Sequence, residues 1–77
     1  MYDLQAVAGR IKQQAKAKKI SMKDMLSACG LGINAVSQMA QGQNMASTNL
    51  ARIADYLDCS VDYLLGRTDD PNAHKPR

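Results

Sequence analysis

Residues 21–42, SMKDMLSACGLGINAVSQMAQG, decide the fold. They predict two short helices joined by a tight, glycine-marked corner. Ser21 followed by Asp24 makes a capping-box-like start, because a hydroxyl and a carboxylate three residues apart satisfy amides that a helix start leaves without partners. Met25, Leu26 and Cys29 then fall on one apolar face. Gly30 supplies a left-handed residue at low cost and ends the helix. After Leu31 and Gly32 a second helix is predicted to start near Ile33 and stop before Gly42. Its apolar residues Val36, Met39 and Ala40 share one side. Asn34, Ser37, Gln38 and Gln41 share the other. That side is polar and uncharged; it suits base edges and equally suits plain surface.

Outward from this pair, the flanks read as further helices. Asp3 is placed to cap a helix over residues 3–18, whose stripe is Leu4, Val7, Ala8, Ile11 and Ala15. Ser47 or Thr48 is the expected cap of a fourth helix carrying Leu50, Ile53, Ala54 and Leu57 with a period near 3.6. Asp58 and Cys59 make a bend. Ser60 then caps a short fifth helix over 61–65, closed by Gly66. The predicted domain is 1–66, and residues 67–77, RTDDPNAHKPR, with two prolines and no apolar pattern, are expected to be a flexible tail. No segment of this length holds a helix alone, so the reading is a compact all-α, five-helix bundle that stands by mutual packing.

A chain of 77 residues is one small domain. It buries only about 60% of its unfolded surface, so association with a partner would add stability. No apolar run approaches the roughly 20 residues of a membrane span, and MYDLQAV lacks the basic-then-apolar pattern of a signal peptide. The expected location is the cytoplasm. The net charge of +3 is unevenly spread. Arg10, Lys12, Lys16, Lys18, Lys19 and Lys23 crowd the first 23 residues, whereas Asp24, Asp55, Asp58 and Asp62 outweigh Arg52 between 24 and 66. Such a dipole orients a small body in the field of a polyanion, although lysines are also the ordinary dressing of helix surfaces. Cys29 and Cys59 occupy apolar slots and read as packed free thiols; with one distant His they make no zinc site. His74 falls in the tail, no nucleophile–base or paired-carboxylate set shares a helix face, and no Gly-rich loop follows a strand. An enzyme is not expected, nor a cofactor, a metal or a small-molecule ligand.

Three pieces in order carry a family resemblance: Ile20-Ser21-x-x-x-Met25-Leu26-x-x-Cys29-Gly30-Leu31, Val36-Ser37-Gln38-Met39-x-Gln41-Gly42, and the ending from Leu50 through Ile53-Ala54-Asp55-Tyr56-Leu57 to Leu64-Leu65-Gly66-Arg67-Thr68. Together they resemble the Xre/Cro-like helix-turn-helix domain of phage and bacterial repressors, over about residues 11–66. The resemblance implies a lambda-repressor-like fold in which the third helix lies in the DNA major groove and the second crosses the backbone. By position, Ile33, Asn34, Ser37 and Gln38 become the base-reading residues. Carboxamides pair with adenine, and Ile33 reaches a thymine methyl. Lys23, Gln41, Gln43 and Asn44 become phosphate contacts. The chain departs from the family at three places. Met22 stands where many members have a phosphate-binding Gln, leaving Lys23 to supply the electrostatic part. Gln43 and Asn44 replace a basic loop, which predicts weaker binding and a shallower salt dependence. Ala15 and Ala40 stand where some members carry an Arg–Glu pair; both partners are absent together, which predicts an apolar contact in the core.

The function this implies is a sequence-specific regulator of transcription that binds double-stranded DNA. It is expected to act as a homodimeric repressor on a palindromic operator. The competing readings are a protein-interaction module that retains the fold, antitoxin-like or a phage accessory protein, and the DNA-binding head of a longer repressor. Val61, Leu64, Leu65 and Met45 are the candidates for a shared apolar surface, and equally for ordinary core.

Overall fold

Asp3 opens the first helix because its carboxylate accepts from the amides of Gln5 and Ala6 at 3.0 and 3.4 Å, two of the donors a helix start leaves over. The computed structural model describes residues 3–70, and α1 runs Leu4–Ala17 within it. Four more helices follow among the described residues: α2 Met22–Ala28, α3 Ala35–Ala40, α4 Ser47–Tyr56 and α5 Val61–Leu65. The fold is all-α, as the periodicity predicts. Val7, Ala8, Ile11 and Ala15 are each at most 1% exposed, so the α1 stripe is the spine of the core. Met25 and Leu26 of α2 with Cys29 at its C-cap, Val36 and Met39 of α3, Leu50, Ile53 and Ala54 of α4, then Leu57 and Cys59, and Leu64 of α5 close around it. Each fully buried Ile, Leu or Met contributes about 1.5–3 kcal/mol of burial. Helices of five to seven residues, such as α2, α3 and α5, exist only by virtue of this packing.

The helix starts agree with the sequence in three of the four places where it named a cap. Ser21 Oγ accepts from the Asp24 amide at 3.3 Å, and the fully buried Ser60 Oγ accepts from Tyr63 at 3.0 Å. At α4 the expectation is corrected. Ala46, not Ser47 or Thr48, holds the cap position and offers no side-chain acceptor. The chain turns one residue earlier than the hydroxyls suggested, with the Ala46 carbonyl accepting from both Asn49 and Leu50.

All five described helices end in the same double closure. The amide two residues past the last turn reaches back five positions, and the amide before it reaches back three. For α2 these bonds are Leu31 to Leu26 and Gly30 to Ser27 at 2.8 and 3.1 Å. For α3 they are Gln43 to Gln38 and Gly42 to Met39 at 3.0 and 2.9 Å. The closure needs a left-handed residue, and glycine supplies it in α2, α3 and α5. In α1 and α4 it is Lys19 and Asp58, with φ of 57° and 55°. These are the positions the sequence left unmarked. Ile20 and Cys59 must turn back onto the core immediately afterwards, and that burial offsets the cost of an L-residue in this conformation.

Two cations of α1 meet helix ends. Lys18 Nζ donates to the Asp58 carbonyl at 3.2 Å and lies 4.0 Å from its carboxylate. The half-buried Arg10 rests its guanidinium on Gly66, where an added Cβ would come within 2.7 Å of it. Both positive charges thus sit at the negative ends of helix dipoles, α4 and α5 respectively. Arg67, at the start of the predicted tail, donates its amide to Asp62 at 2.9 Å and holds its guanidinium 3.8 Å from the Asp62 carboxylate. The rest of that tail from 71, His74 included, lies outside the described residues, as do residues 1 and 2.

Candidate nucleic-acid interface

The most extensive packing in the fold is α1 on α3. It consumes the Val36 and Met39 side of α3 and leaves the opposite side to solvent. Ala15 is buried on α1 and Ala40 half-buried against the core on α3. Asn34, Ser37, Gln38 and Gln41 are all exposed, so no part of the described chain covers the polar face. No ionised side chain belongs to it.

The predicted start of this helix is corrected by two residues. Ile33 and Asn34 form a turn ahead of α3, in which the Ala35 amide donates to the Gly32 carbonyl at 3.1 Å. Asn34 is the N-cap, yet its side chain makes no capping bond; its φ and ψ of −93° and 2° aim it elsewhere. The carboxamide is left available, while its carbonyl anchors the helix by accepting from Gln38 at 2.8 Å. Ile33, at the leading tip, is 65% exposed and is the most exposed large apolar residue among those described.

At the other end of α3, Gly42 at φ 98° turns the chain into an irregular loop, where Gln43 and Asn44 are exposed. The loop walls two concavities. One is a cleft of about 160 Å³ ringed by Gln38, Gln43, Asn44 and Asn49 over a floor of Leu31, Ala35, Met45 and Ala46. The other is an apolar groove of about 520 Å³ that includes Leu4, Met39, Met45, Leu50, Val61 and Leu65. Leu64, a candidate for a shared apolar surface, is instead fully buried core; Met45, Val61 and Leu65 are half-buried at the groove. Asn49, half-buried in the first turn of α4, also lines the cleft, and sequence reasoning did not single it out. Its signal was weak: an amide in the first turn of α4, one residue before the apolar stripe begins.

Lys23 is exposed on the first turn of α2 and forms no ion pair among the described residues. Lys12, Lys16 and Lys19 are likewise exposed and unpaired there, so positive charge collects along α1 and the α1–α2 corner. Among the described residues, no group of His, Cys, Asp and Glu could hold a metal ion. Cys29 and Cys59 are buried free thiols. Burial pushes the Cys29 thiol above its ordinary pKa; Arg52 opposes this and Asp55 adds to it. No described helix is long and apolar enough to cross a membrane.

Comparison with known proteins agrees with this arrangement. A family model described as the Cro/C1-type HTH DNA-binding domain matches residues 10–70. The uncharacterized HTH-type transcriptional regulator YobD of Bacillus subtilis (strain 168) is 33% identical over 64 residues. That alignment covers 82% of this chain and 57% of the relative, so the chain spans a little over half of that protein's length. No solved structure matches. With its helix pair, its exposed α3 face and a family match across most of its length, the chain belongs to the Cro/C1-type helix-turn-helix DNA-binding domain family.

Proposed function

We propose that this chain regulates transcription by binding a specific double-stranded DNA sequence, and that it acts as a repressor by occupying a promoter. The observation that carries the reading is the α3 face. Asn34, Ser37 and Gln38 stand exposed and uncharged, with Ile33 ahead of them, on a helix braced from behind by α1. Carboxamides are the side chains that pair bidentately with adenine N6 and N7, and an aliphatic tip suits a thymine methyl. Lys23 at the start of α2, with Gln41, Gln43 and Asn44 at the far end of α3, is proposed to hold the phosphates that fix register; the exposure of all four supports this. The relative's description as a transcriptional regulator supports the same assignment.

A single α3 reads only a few base pairs, so the proposed operator is an approximate palindrome read by a homodimer. The apolar groove at Met45, Val61 and Leu65 gives two copies a surface to share. The cytoplasm is the proposed location, where such DNA is reached.

One observation favours a second reading, an interaction module that retains the fold for a protein partner. Neither α3 nor the loop up to Ala46 carries a cation. Selection of bound duplexes from a random pool, followed by gel shifts at low and moderate salt, separates the two. A regulator enriches a defined, two-fold-repeated sequence. On that sequence, Asn34→Ala or Gln38→Ala costs about 1–3 kcal/mol and relaxes preference at particular bases. Enrichment of nothing, with no shift even at low salt, gives the chain to the protein-partner reading.

A further inference from the structure

The apolar groove is walled by four of the described helices: Leu4 and Val7 from α1, Met39 from α3, Leu50 from α4, and Val61 and Leu65 from α5. Its volume of about 520 Å³ lies within the roughly 300–1,000 Å³ of small-molecule sites. No ionised residue lines it. Its polar side chains are Asn44 and Ser47, and neither has a hydrogen-bond partner among the described residues. Such a concavity favours a body that is mostly hydrocarbon with one hydrogen-bonding group. It disfavours a charge, which would lose its water with nothing there to pair it.

Size and shape argue against the protein itself as the occupant. A stable dimer takes about 20–30 residues from each side, whereas ten line the groove. A two-fold interface also brings the same patch from each copy together. Groove then meets groove, so a second copy covers the mouth without filling the interior. The end of the chain, PNAHKPR, offers no large apolar side chain either.

We propose that the groove binds an uncharged, largely aliphatic small molecule with one hydrogen-bonding group, and that its occupancy weakens DNA binding. The second half rests on the DNA-binding reading above. Asn44 and Met45 line both this groove and the smaller cleft at Gln38, so one stretch of loop is the wall between them. Met39 places the groove directly behind α3. Met45 is the adaptable part of that wall, because an unbranched thioether repacks readily. A ligand that presses on it favours states in which the loop shifts, whereas DNA favours the state in which α3 is held still. The two bindings therefore oppose each other.

The test titrates the 77-residue chain with Nile red, an uncharged apolar fluorophore, and displaces it with n-alkanols from hexanol to decanol and with decanoate. One saturable site per chain is expected. Each added methylene should tighten the alkanols about fourfold, and decanoate should bind about tenfold more weakly than decanol, or worse. Val61→Phe fills the groove and should weaken Nile red about tenfold or more, while Val61→Ala keeps the site; thermal melting confirms that both fold. Uptake that does not saturate, or equal binding by folded Val61→Phe, overturns the proposal. Nile red binding that vanishes at concentrations where the chain sediments as a dimer makes a second copy the occupant. A gain of affinity on Tyr2→Ser makes it the chain's own N-terminus. Either overturns the proposal. Saturating Nile red should lower affinity for the selected duplex about threefold or more, and the duplex should lower Nile red affinity by the same factor. Nile red binding without this reciprocal loss overturns the regulatory half. A chain that binds Nile red but no duplex removes the regulator reading and leaves the groove's ligand standing.

Discussion

Ile33→Ala separates binding from folding more sharply than any other single change. Ile33, in the turn ahead of α3, is 65% exposed, whereas Val36, three residues later in the helix, is 2% exposed. Complete burial of an isoleucine side chain contributes about 1.5–3 kcal/mol, at roughly 0.8 kcal/mol for each buried CH₂. The fraction still open to water at Ile33 leaves about 1–2 kcal/mol for DNA to recover by covering it. The expected loss of affinity is therefore about 5- to 30-fold. Stability should change by no more than about 0.5 kcal/mol, because the removed carbons contact little of the core. For a domain of this size that is a shift of about 2–4 °C. Val36→Ala should show the reverse signature, with a marked drop in melting temperature. The assay is anisotropy on the selected duplex beside thermal melting by circular dichroism. Replacing each thymine of the site in turn by deoxyuridine removes only a methyl group. At the contacted base, that change and Ile33→Ala should not add, since each deletes one side of the same contact. Unchanged affinity, or full additivity at every thymine, refutes the groove placement of Ile33. A melting temperature lowered as far as by Val36→Ala refutes the account of its exposure.

Three further outcomes follow from charge and backbone. Lys23→Ala should weaken binding evenly across sequences and flatten the log–log salt slope by about 0.9, read from anisotropy at four or five KCl concentrations; a sequence-selective loss contradicts its phosphate role. Lys19→Gly relieves a left-handed L-residue, φ 57°, at a site worth about 1–2 kcal/mol. Glycine returns about 0.5–1 kcal/mol of that as unfolded-chain entropy, so the urea midpoint should rise by an equivalent of about 0.5–1 kcal/mol; a fall would show that Lys19 makes an interaction worth more than the strain. Burial holds the folded Cys29 thiol above the ordinary 9.0, so the folded protein keeps this proton where the unfolded chain loses it. The resulting stability is complete below pH 9 and drains away as pH climbs through the raised value, a decline that Cys29→Ala should lessen in alkaline urea titrations.

Much of the fold was legible because each local signal agrees with the packing. The α1 stripe, the Ser21 and Ser60 caps and the glycine closures of α2, α3 and α5 all depend on residues within a few positions of one another. What escaped the sequence is set by distant parts of the chain. Lys19 and Asp58 take the left-handed conformation because Ile20 and Cys59 must return to a core assembled by other helices, and Lys18 ties the second of these corners to the first. Ala46 caps α4 although two hydroxyls follow it, because the loop from Gly42 delivers the chain at that point. Asn49 joins Gln38 only through this loop, so no periodicity within α4 could reveal it.

The same dependence explains how an uncharged face can be a precise one. Six residues cannot sustain a helix in water, so α3 has no rigidity of its own. Its inner side is locked by α1. Its leading end is fixed by the Gly32–Ala35 turn, and its trailing end by the double closure at Gly42. Long charged side chains would bring affinity through the polyanion field but little positional discrimination, since a phosphate looks alike at every base pair. Short amides do the opposite: they are weak at a distance and demanding of geometry at contact. The division of labour in the chain follows from that contrast. Most of the described cations lie from α1 to the start of α2, where in the proposed reading they draw the domain toward the polyanion. Under the proposed reading the groove-facing positions are those of Asn34, Ser37 and Gln38, exposed on α3, whose donors and acceptors discriminate only when the scaffold holds them still.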